Sequence, residues 1–300
     1  MTRVPLLALS ISLSAISGCW AEDWGPDQLG LGHTSESRRQ LQFGREVYGT
    51  YCVGCHGEKG DGNGPAARYL DPKPRDFRVG RIKFAHVASG EAPRDEDYER
   101  VISHGLSGTA MPSFALLTAK VRTAVVAYLK TFAKKHQNPG VGVTIGSDPF
   151  LRDPESGIET GKAAYHAAAR CWSCHPAYEP WPEIARLTVE AKLPAPEPAP
   201  DLYESHTKES EWGMPIRPPD FLSDRIKTGV DVGELARVIG SGVGGTAMPT
   251  WGGVLPDRQI WGLAHYVRSI ALFRGTAKAE ALRKTLVQPE APVEPASDHP

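Results

Sequence analysis

The chain has 300 residues, with 34 Lys and Arg against 35 Asp and Glu, for a formal net charge of −1. This length allows two domains, each with its own core, and the near-neutral balance gives no global attraction to nucleic acid or an anionic membrane surface. With Gly at 31 and Pro at 26, the composition implies long connections and coil between the helical patterns.

The first residues read as an export signal. Arg3 precedes the apolar run from Val4 to Ile16, which has the length of a signal h-region and is too short to span a bilayer. Residues 1–18 are therefore assigned to a signal peptide. The run ends in Ile16-Ser17-Gly18-Cys19, which resembles a bacterial lipobox, with Cys19 lipidated as the mature N-terminus. The alternative is ordinary cleavage nearby, such as after Ala21, which would leave Cys19 incidental. Both readings send the chain out of the cytoplasm, to the periplasm of a bacterium. No other stretch is apolar enough to span a membrane, so lipid would be the only anchor. Residues 19–37 are polar and read as a tether.

A first domain is expected over residues 38–136. Phe43, Val47 and Tyr51 recur at spacing four and predict one face of a helix that runs into Cys52-Val53-Gly54-Cys55-His56. The glycine-rich run from Gly57 to Pro65 must be loop, and Pro72 to Phe77 is extended. A helix over 95–104 would bury Tyr98, Val101 and Ile102. It is followed by Gly108-Thr109-Ala110-Met111-Pro112. The closing helix shows Val121, Val125, Tyr128, Leu129 and Phe132 on one face, with Thr118 as its N-cap.

Residues 137–154 are assigned to a linker, and residues 155–275 to a second domain that repeats the order of the first. Gly161 to Tyr165 parallels Gly44 to Tyr48, and Pro219-Asp220-Phe221 parallels Pro74 to Phe77. Arg237-Val238-Ile239 through Gly245-Thr246-Ala247-Met248-Pro249 repeats Arg100-Val101-Ile102 through Met111-Pro112 without a gap, 137 residues on. The second motif is Cys171-Trp172-Ser173-Cys174-His175. From His56 to Met111 is 55 residues, but from His175 to Met248 is 73. The excess is an insertion at about 176–219, which contains a polyproline-like stretch from Pro194 to Pro200. Residues 276–300 are expected to be a disordered tail, Pro- and acid-rich from Gln288 onward.

Both C-x-x-C-H motifs carry the attachment signature of a c-type haem. Two thiols about one helical turn apart can add to the two vinyl groups of one porphyrin, and the following histidine can ligate the iron. Zinc knuckles and dithiol redox pairs share the bare C-x-x-C, but neither copy has a second pair of metal ligands nearby. Four of the five cysteines are used in this way: Cys52, Cys55, Cys171 and Cys174. The expected cofactors are two covalently attached haem c, with His56 and His175 as axial iron ligands. A lone buried methionine is ordinarily a gap-filler. Met111 and Met248, however, occupy the same position in a duplicated Gly-Thr-Ala-Met-Pro loop, which makes them the candidate distal ligands. Met214, in Trp212-Gly213-Met214-Pro215, is an alternative to Met248. His104 and His206 are weaker rivals, because neither has a counterpart in the other repeat.

These features together resemble the class I cytochrome c family, in a dihaem form. They are a helix into C-x-x-C-H, a glycine-rich loop, a G-T-x-M-P distal loop and a closing helix with an aromatic. The resemblance covers about residues 38–136 and 155–275. It implies an all-α fold, with two tandem domains each wrapped around one haem and with His56/Met111 and His175/Met248 as axial pairs. The second domain departs from the pattern, since Pro176-Ala177-Tyr178-Glu179-Pro180-Trp181 replaces the glycine-rich loop.

The expected function is single-electron transfer to or from a redox protein partner, either a membrane respiratory complex or a dehydrogenase. The chain would act alone or as the cytochrome subunit of that enzyme. Membrane contact would come through the lipid, and neither a nucleic-acid partner nor a small-molecule substrate is expected. Thioether ligation favours Fe(II) and predicts relatively positive, unequal potentials. The rival is a peroxidase-like dihaem enzyme with one open haem. A cysteine-ligated haem is excluded for want of a spare cysteine, and no output domain for a sensor is visible. Lys73, Arg75, Arg78, Arg81 and Lys83 form the one concentrated basic segment, either a steering patch for an acidic partner or a solvated loop.

Overall fold

The computed structural model describes residues 35–133, 138–194, 197 and 199–287. The proposed signal peptide, Cys19, nearly all of the tether and the last thirteen residues lie outside this set. The regular structure of the described chain is almost wholly helical. Among these residues the only sheet pairs two-residue strands β1 (Lys208–Glu209) and β2 (Pro215–Ile216), and no helix is long and apolar enough to cross a membrane.

Each domain is built on a crossing of its first and last helices. In domain 1, α1 (Ser35–Tyr51) crosses α4 (Ala119–Leu129); in domain 2, α5 (Pro154–Ala163) crosses α8 (Asp257–Ala271). Glycines sit at both crossings. A Cβ on Gly44 would lie 2.1 Å from the Ala124 carbonyl oxygen, and one on Gly161 would lie 2.0 Å from that of Gly262. The two backbones therefore touch, with Tyr128 or Tyr266 packed beside the contact.

This crossing corrects the face expected for α1. Phe43 and Tyr51 are 38% and 52% exposed, and the buried face is Gly44, Val47 and Tyr48. Apolar spacing alone could not reveal that the glycine, one residue on from Phe43, lies at the seam. The expected helices of domain 1 are present, with Val101 only partly buried. The Thr118 hydroxyl accepts from Val121 N and caps α4, which buries Val125 and Leu129 with Val121, Tyr128 and Phe132 packed alongside. Helix α3 (Asp95–His104) buries Tyr98 and Ile102. Its start is held by the buried Asp97 carboxylate, which accepts from Arg94 N at 2.8 Å and His86 N at 2.6 Å.

The haem-motif segment α2 (Val53–His56) follows α1 directly. Domain 2 has two more residues between its tyrosine and its motif: Tyr165 to Cys171 spans six positions, Tyr48 to Cys52 four. The excess is absorbed by a π turn over Ala164–Ala168 and by Arg170 in the left-handed region (φ 48°). Such a turn inserts residues without breaking the helix and tends to occur at functional sites.

The insertion is folded rather than loose. It holds α6 (Trp181–Glu190), whose Ile184 and Leu187 enter the domain 2 core, and the β1–β2 hairpin. Helix α7 (Val232–Ser241) starts at Asp231, which accepts from Glu234 N. The expected linker keeps its place between the domains, and one boundary, that of the tail, needs correction. The linker is a strap fastened to both domains: Gly140 N donates to Ala92 O, Val143 N to His86 O, and Gly146 N to Asp257 Oδ2. The tail expected to be disordered from 276 contains α9 (Ala277–Val287), which buries Ala279 and Leu286. Ala279, Leu282 and Leu286, at helical spacings of three and four, give it a face to pack.

The domains meet along the segment 81–89 and α3 of one and α7 with its following loop of the other. Gly244 N donates to Lys83 O at 2.9 Å, Ser89 N to Thr250 Oγ1 at 2.8 Å, and Arg237 Nη1 to Phe84 O at 3.2 Å. Arg100 pairs with Glu234 across the same interface.

Replacing either crossing glycine with valine should force its helices apart and cost its domain about 3 kcal/mol or more. Heat unfolding of Gly44→Val and Gly161→Val, with haem content measured alongside, checks this. An unchanged melt for either would show that its crossing tolerates a side chain.

Candidate functional site

Each C-x-x-C-H motif folds as one tight turn. In the first, Cys55 N and His56 N donate to Cys52 O at 3.2 and 2.9 Å; in the second, Cys174 N and His175 N donate to Cys171 O at 3.1 and 2.9 Å. All four cysteines are free and half-buried. Burial raises the thiol pKa of Cys52 to about 11 and that of Cys171 to about 12, so neither is a poised thiolate of the kind used by redox dithiols. Among the described residues, no group of three or more His, Cys, Asp and Glu could hold a bare metal ion.

The two histidines are held in the same way. His56 Nδ1 lies 3.1 Å from the Arg75 carbonyl, and His175 Nδ1 lies 2.9 Å from that of Pro219. A carbonyl can only accept, so Nδ1 carries the hydrogen and Nε2 keeps its lone pair for a metal. Each imidazole is stacked on a phenylalanine, His56 on Phe77 at 4.6 Å and His175 on Phe221 at 4.9 Å. Burial lowers both pKa values, against the opposing effect of the carbonyl bond, and keeps the rings neutral as a ligand requires.

A tyrosine from the first helix of each domain fixes the chain beyond the motif. Tyr48 OH donates to Gly57 O at 2.7 Å, and Tyr165 OH to Pro176 O at 2.8 Å. The two connections then differ. In domain 1 the loop folds back on the motif, and a Cβ on Gly64 would lie 2.5 Å from the Val53 and Gly54 carbonyl oxygens. In domain 2 that work passes to Tyr178, whose hydroxyl accepts from Phe221 N at 2.7 Å and donates to Asp220 Oδ1 at 3.1 Å.

The distal loops match bond for bond. Leu106 N donates to Met111 O and Val243 N to Met248 O, at 3.0 and 3.3 Å. Thr109 Oγ1 donates to Leu106 O and Thr246 Oγ1 to Val243 O, and each hydroxyl accepts from its methionine N–H. Each loop leaves its helix through a glycine at positive φ, Gly105 at 68° and Gly242 at 75°. Met111 and Met248 pack against the cores of their own domains. Met214 instead closes the loop of the β1–β2 hairpin just before β2, 49% exposed, with its N–H on Ser210 Oγ. His104 is exposed with Nδ1 on the Arg100 carbonyl, and His206 lies against the Asp201 carbonyl.

The basic segment proves to be an internal fastening. Lys73 donates to Ala67 O, Arg78 pairs with Asp76, Arg81 pairs with Glu211 of the insertion, and the Arg75 guanidinium lies 4.3 Å over the Trp212 ring. Burial first, then Arg75 and Lys227, pushes the Lys83 ammonium down to about 8. Arg81 Nε and Trp212 Nε1 are buried donors without a protein acceptor. Spare buried donors among these cations, beside the His56 support, suit the carboxylates of a haem, so the residues present fit the group.

The family described as cytochrome c oxidase, cbb3-type, subunit III matches residues 39–129 and again 157–267. The chain belongs to this family. Its two cytochrome c domains bind two covalent haem c, through Cys52 and Cys55 and through Cys171 and Cys174. Among solved structures, it resembles a chain of a reducing HAO-like protein complex from Kuenenia stuttgartiensis, with 33% identity and a TM-score of 0.61 over 76% of this cytochrome and 96% of that chain. A search of curated proteins returned no match.

One buried group went unforeseen in the sequence. His166, in the π turn, is fully buried, with Nδ1 on Lys162 O at 2.9 Å and Nε2 accepting from Tyr178 N at 3.3 Å. The two surplus residues before Cys171 were the available signal. Burial holds its pKa at about 4, against the carbonyl bond that raises it. An unfolded histidine takes up its proton near 6.5. Between these values the unfolded state binds more protons, so stability falls as the pH falls, by about 3 kcal/mol at most. Domain 2 should therefore lose stability between pH 6.5 and 4, and His166→Gln, which keeps a donor and an acceptor, should flatten that loss. Urea unfolding at several pH values, followed by tryptophan fluorescence, gives the comparison.

Proposed function

We propose that this cytochrome is an exported one-electron carrier with both haem irons closed, His56/Met111 in domain 1 and His175/Met248 in domain 2. The observation that carries the reading is the bond-for-bond repetition of the two distal loops, each seating its methionine against its own core. When bound, each haem supplies an Fe(III)/Fe(II) couple. The chain's residues hold the rest: the Arg75 and Pro219 carbonyls orient the imidazoles, Phe77 and Phe221 pin their planes, and the threonine-braced loops hold the thioethers. A fixed, mostly dry ligand set changes little between oxidation states, which is what rapid electron transfer needs.

The partner is a redox protein, a membrane respiratory complex or a dehydrogenase, with this cytochrome acting alone or as its electron-transfer subunit. Its similarity to a chain of a multi-protein complex supports a docked role. Lipid on Cys19 would keep it at the membrane, on the periplasmic side where C-x-x-C-H motifs receive their haem. The rival, a peroxidase-like enzyme, needs an exchangeable distal site and an acid–base group. The insertion could offer His206 and several glutamates for that role, and His206 rests on the Asp201 carbonyl, 3.2 Å from its Nε2.

Spectroscopy of the oxidised protein tests this. Two low-spin signals, a methionine–ferric charge-transfer band from each haem, and no binding of cyanide or of CO after reduction are the expected results. Met248→Ala should open haem two alone to CO and lower its potential, and Met214→Ala should change neither haem. A high-spin haem in the wild type, or loss of the band on Met214→Ala, would overturn the assignment.

A further inference from the structure

The insertion delivers one side chain to a singular place. Trp212 stands between residues that support the iron ligands of different domains. On one side its ring meets the Arg75 guanidinium at 4.3 Å, and the carbonyl of that same Arg75 receives the His56 Nδ1 proton. On the other side its benzene edge lies on Gly245, where a Cβ would come within 1.8 Å of Trp212 Cη2. Gly245 (φ 73°) is three residues before Met248, inside the braced distal loop. The matching Gly108 in domain 1 has the aliphatic stem of Arg225 nearest to it instead of an aromatic ring, so the indole contact belongs to one junction and is not a by-product of duplication.

The surroundings hold the indole in place. Glu211 N donates to Gly245 O at 3.2 Å, the Glu211 carboxylate pairs with Arg81, and Gly244 N donates to Lys83 O. The path from His56 through Arg75, Trp212 and Gly245 to the Met248 loop is a continuous series of packed or bonded groups. Electronic coupling decays more slowly through contacting atoms than across gaps, and a π system is a good medium for it.

We propose that Trp212 is the positioning residue that couples the two haem sites and carries electron exchange between the domains. The exchange moves one electron: the Fe(II) of one site is oxidised to Fe(III) as the Fe(III) of the other is reduced. No bond is made or broken, and the indole, which remains unoxidised, serves only as the medium. The inference rests on the electron-carrier reading and adds the internal route.

The test uses the full-length dihaem protein, in wild-type form and as Trp212→Phe and Trp212→Ala. A pulse of photochemical reductant, below one equivalent, loads the haems unevenly, and their re-equilibration is followed at wavelengths that separate the two. Both potentials and both methionine–ferric bands are recorded for each variant. Trp212→Ala should slow re-equilibration several-fold with both bands intact, and Trp212→Phe should recover much of the rate. An alanine variant with both bands intact and the wild-type rate would overturn the proposal. So would loss of the Met248 band in both variants, which would make Trp212 only a brace for that loop. If the alanine form does not load haem, the phenylalanine form decides by the same criteria. A wild type that shows no exchange between its haems would also overturn the proposal, whereas a haem that binds cyanide, or CO after reduction, would count against the carrier reading itself.

Discussion

Everything in each domain depends on the backbone contact between its first and last helices. At Gly44 with Ala124 and at Gly161 with Gly262 the helices approach closer than any side chain would allow. That approach brings Tyr48 and Tyr165 deep enough for their hydroxyls to reach the carbonyl just past the haem motif. It also sets Tyr128 and Tyr266 against those rings, at 5.4 and 5.6 Å. The motif is then anchored on both sides, by the helix that leads into it and by the hydroxyl that ties down its exit. The imidazole can be aimed only because its backbone is already fixed.

The repeats have kept this frame and diverged around it. Domain 1 closes its proximal side with a glycine-rich loop that lies directly on the motif, which only residues without side chains can do. Domain 2 has no such loop and uses a tyrosine hydroxyl, Tyr178, to tie the start of its insertion to the Asp220–Phe221 segment. A π turn and a left-handed Arg170 take up its two surplus residues. Different chemistry thus leaves the two imidazoles with the same partners, a carbonyl on Nδ1 and a phenylalanine on the ring face.

The insertion and the basic segment, which look unrelated in the chain, explain each other in space. Grouped arginines and lysines suggest a surface for a partner. Here Arg75 and Arg81 face Trp212 and Glu211 of the same molecule, and Lys83 is buried enough to lose much of its basicity. Buried cations are costly unless they meet anions or π faces. The insertion provides both, and the haem carboxylates suit the donors that remain.

The sequence by itself determined the haem motifs, the paired methionine loops, the duplication and the Thr118 cap. These are local features, set by covalent spacing or by the hydrogen bonds of a single turn, and repetition within one chain made them unambiguous. Only the tertiary structure decided which face of α1 is buried, that the strap and α9 are packed, and that Trp212 spans the domains. Each depends on a partner tens or more than a hundred residues away: Gly44 on Ala124, Gly146 on Asp257, Arg75 on Trp212. Helical periodicity records that a side chain is apolar but not which distant backbone it will meet, and it gives glycine, the residue that permits the closest contact, no signal at all.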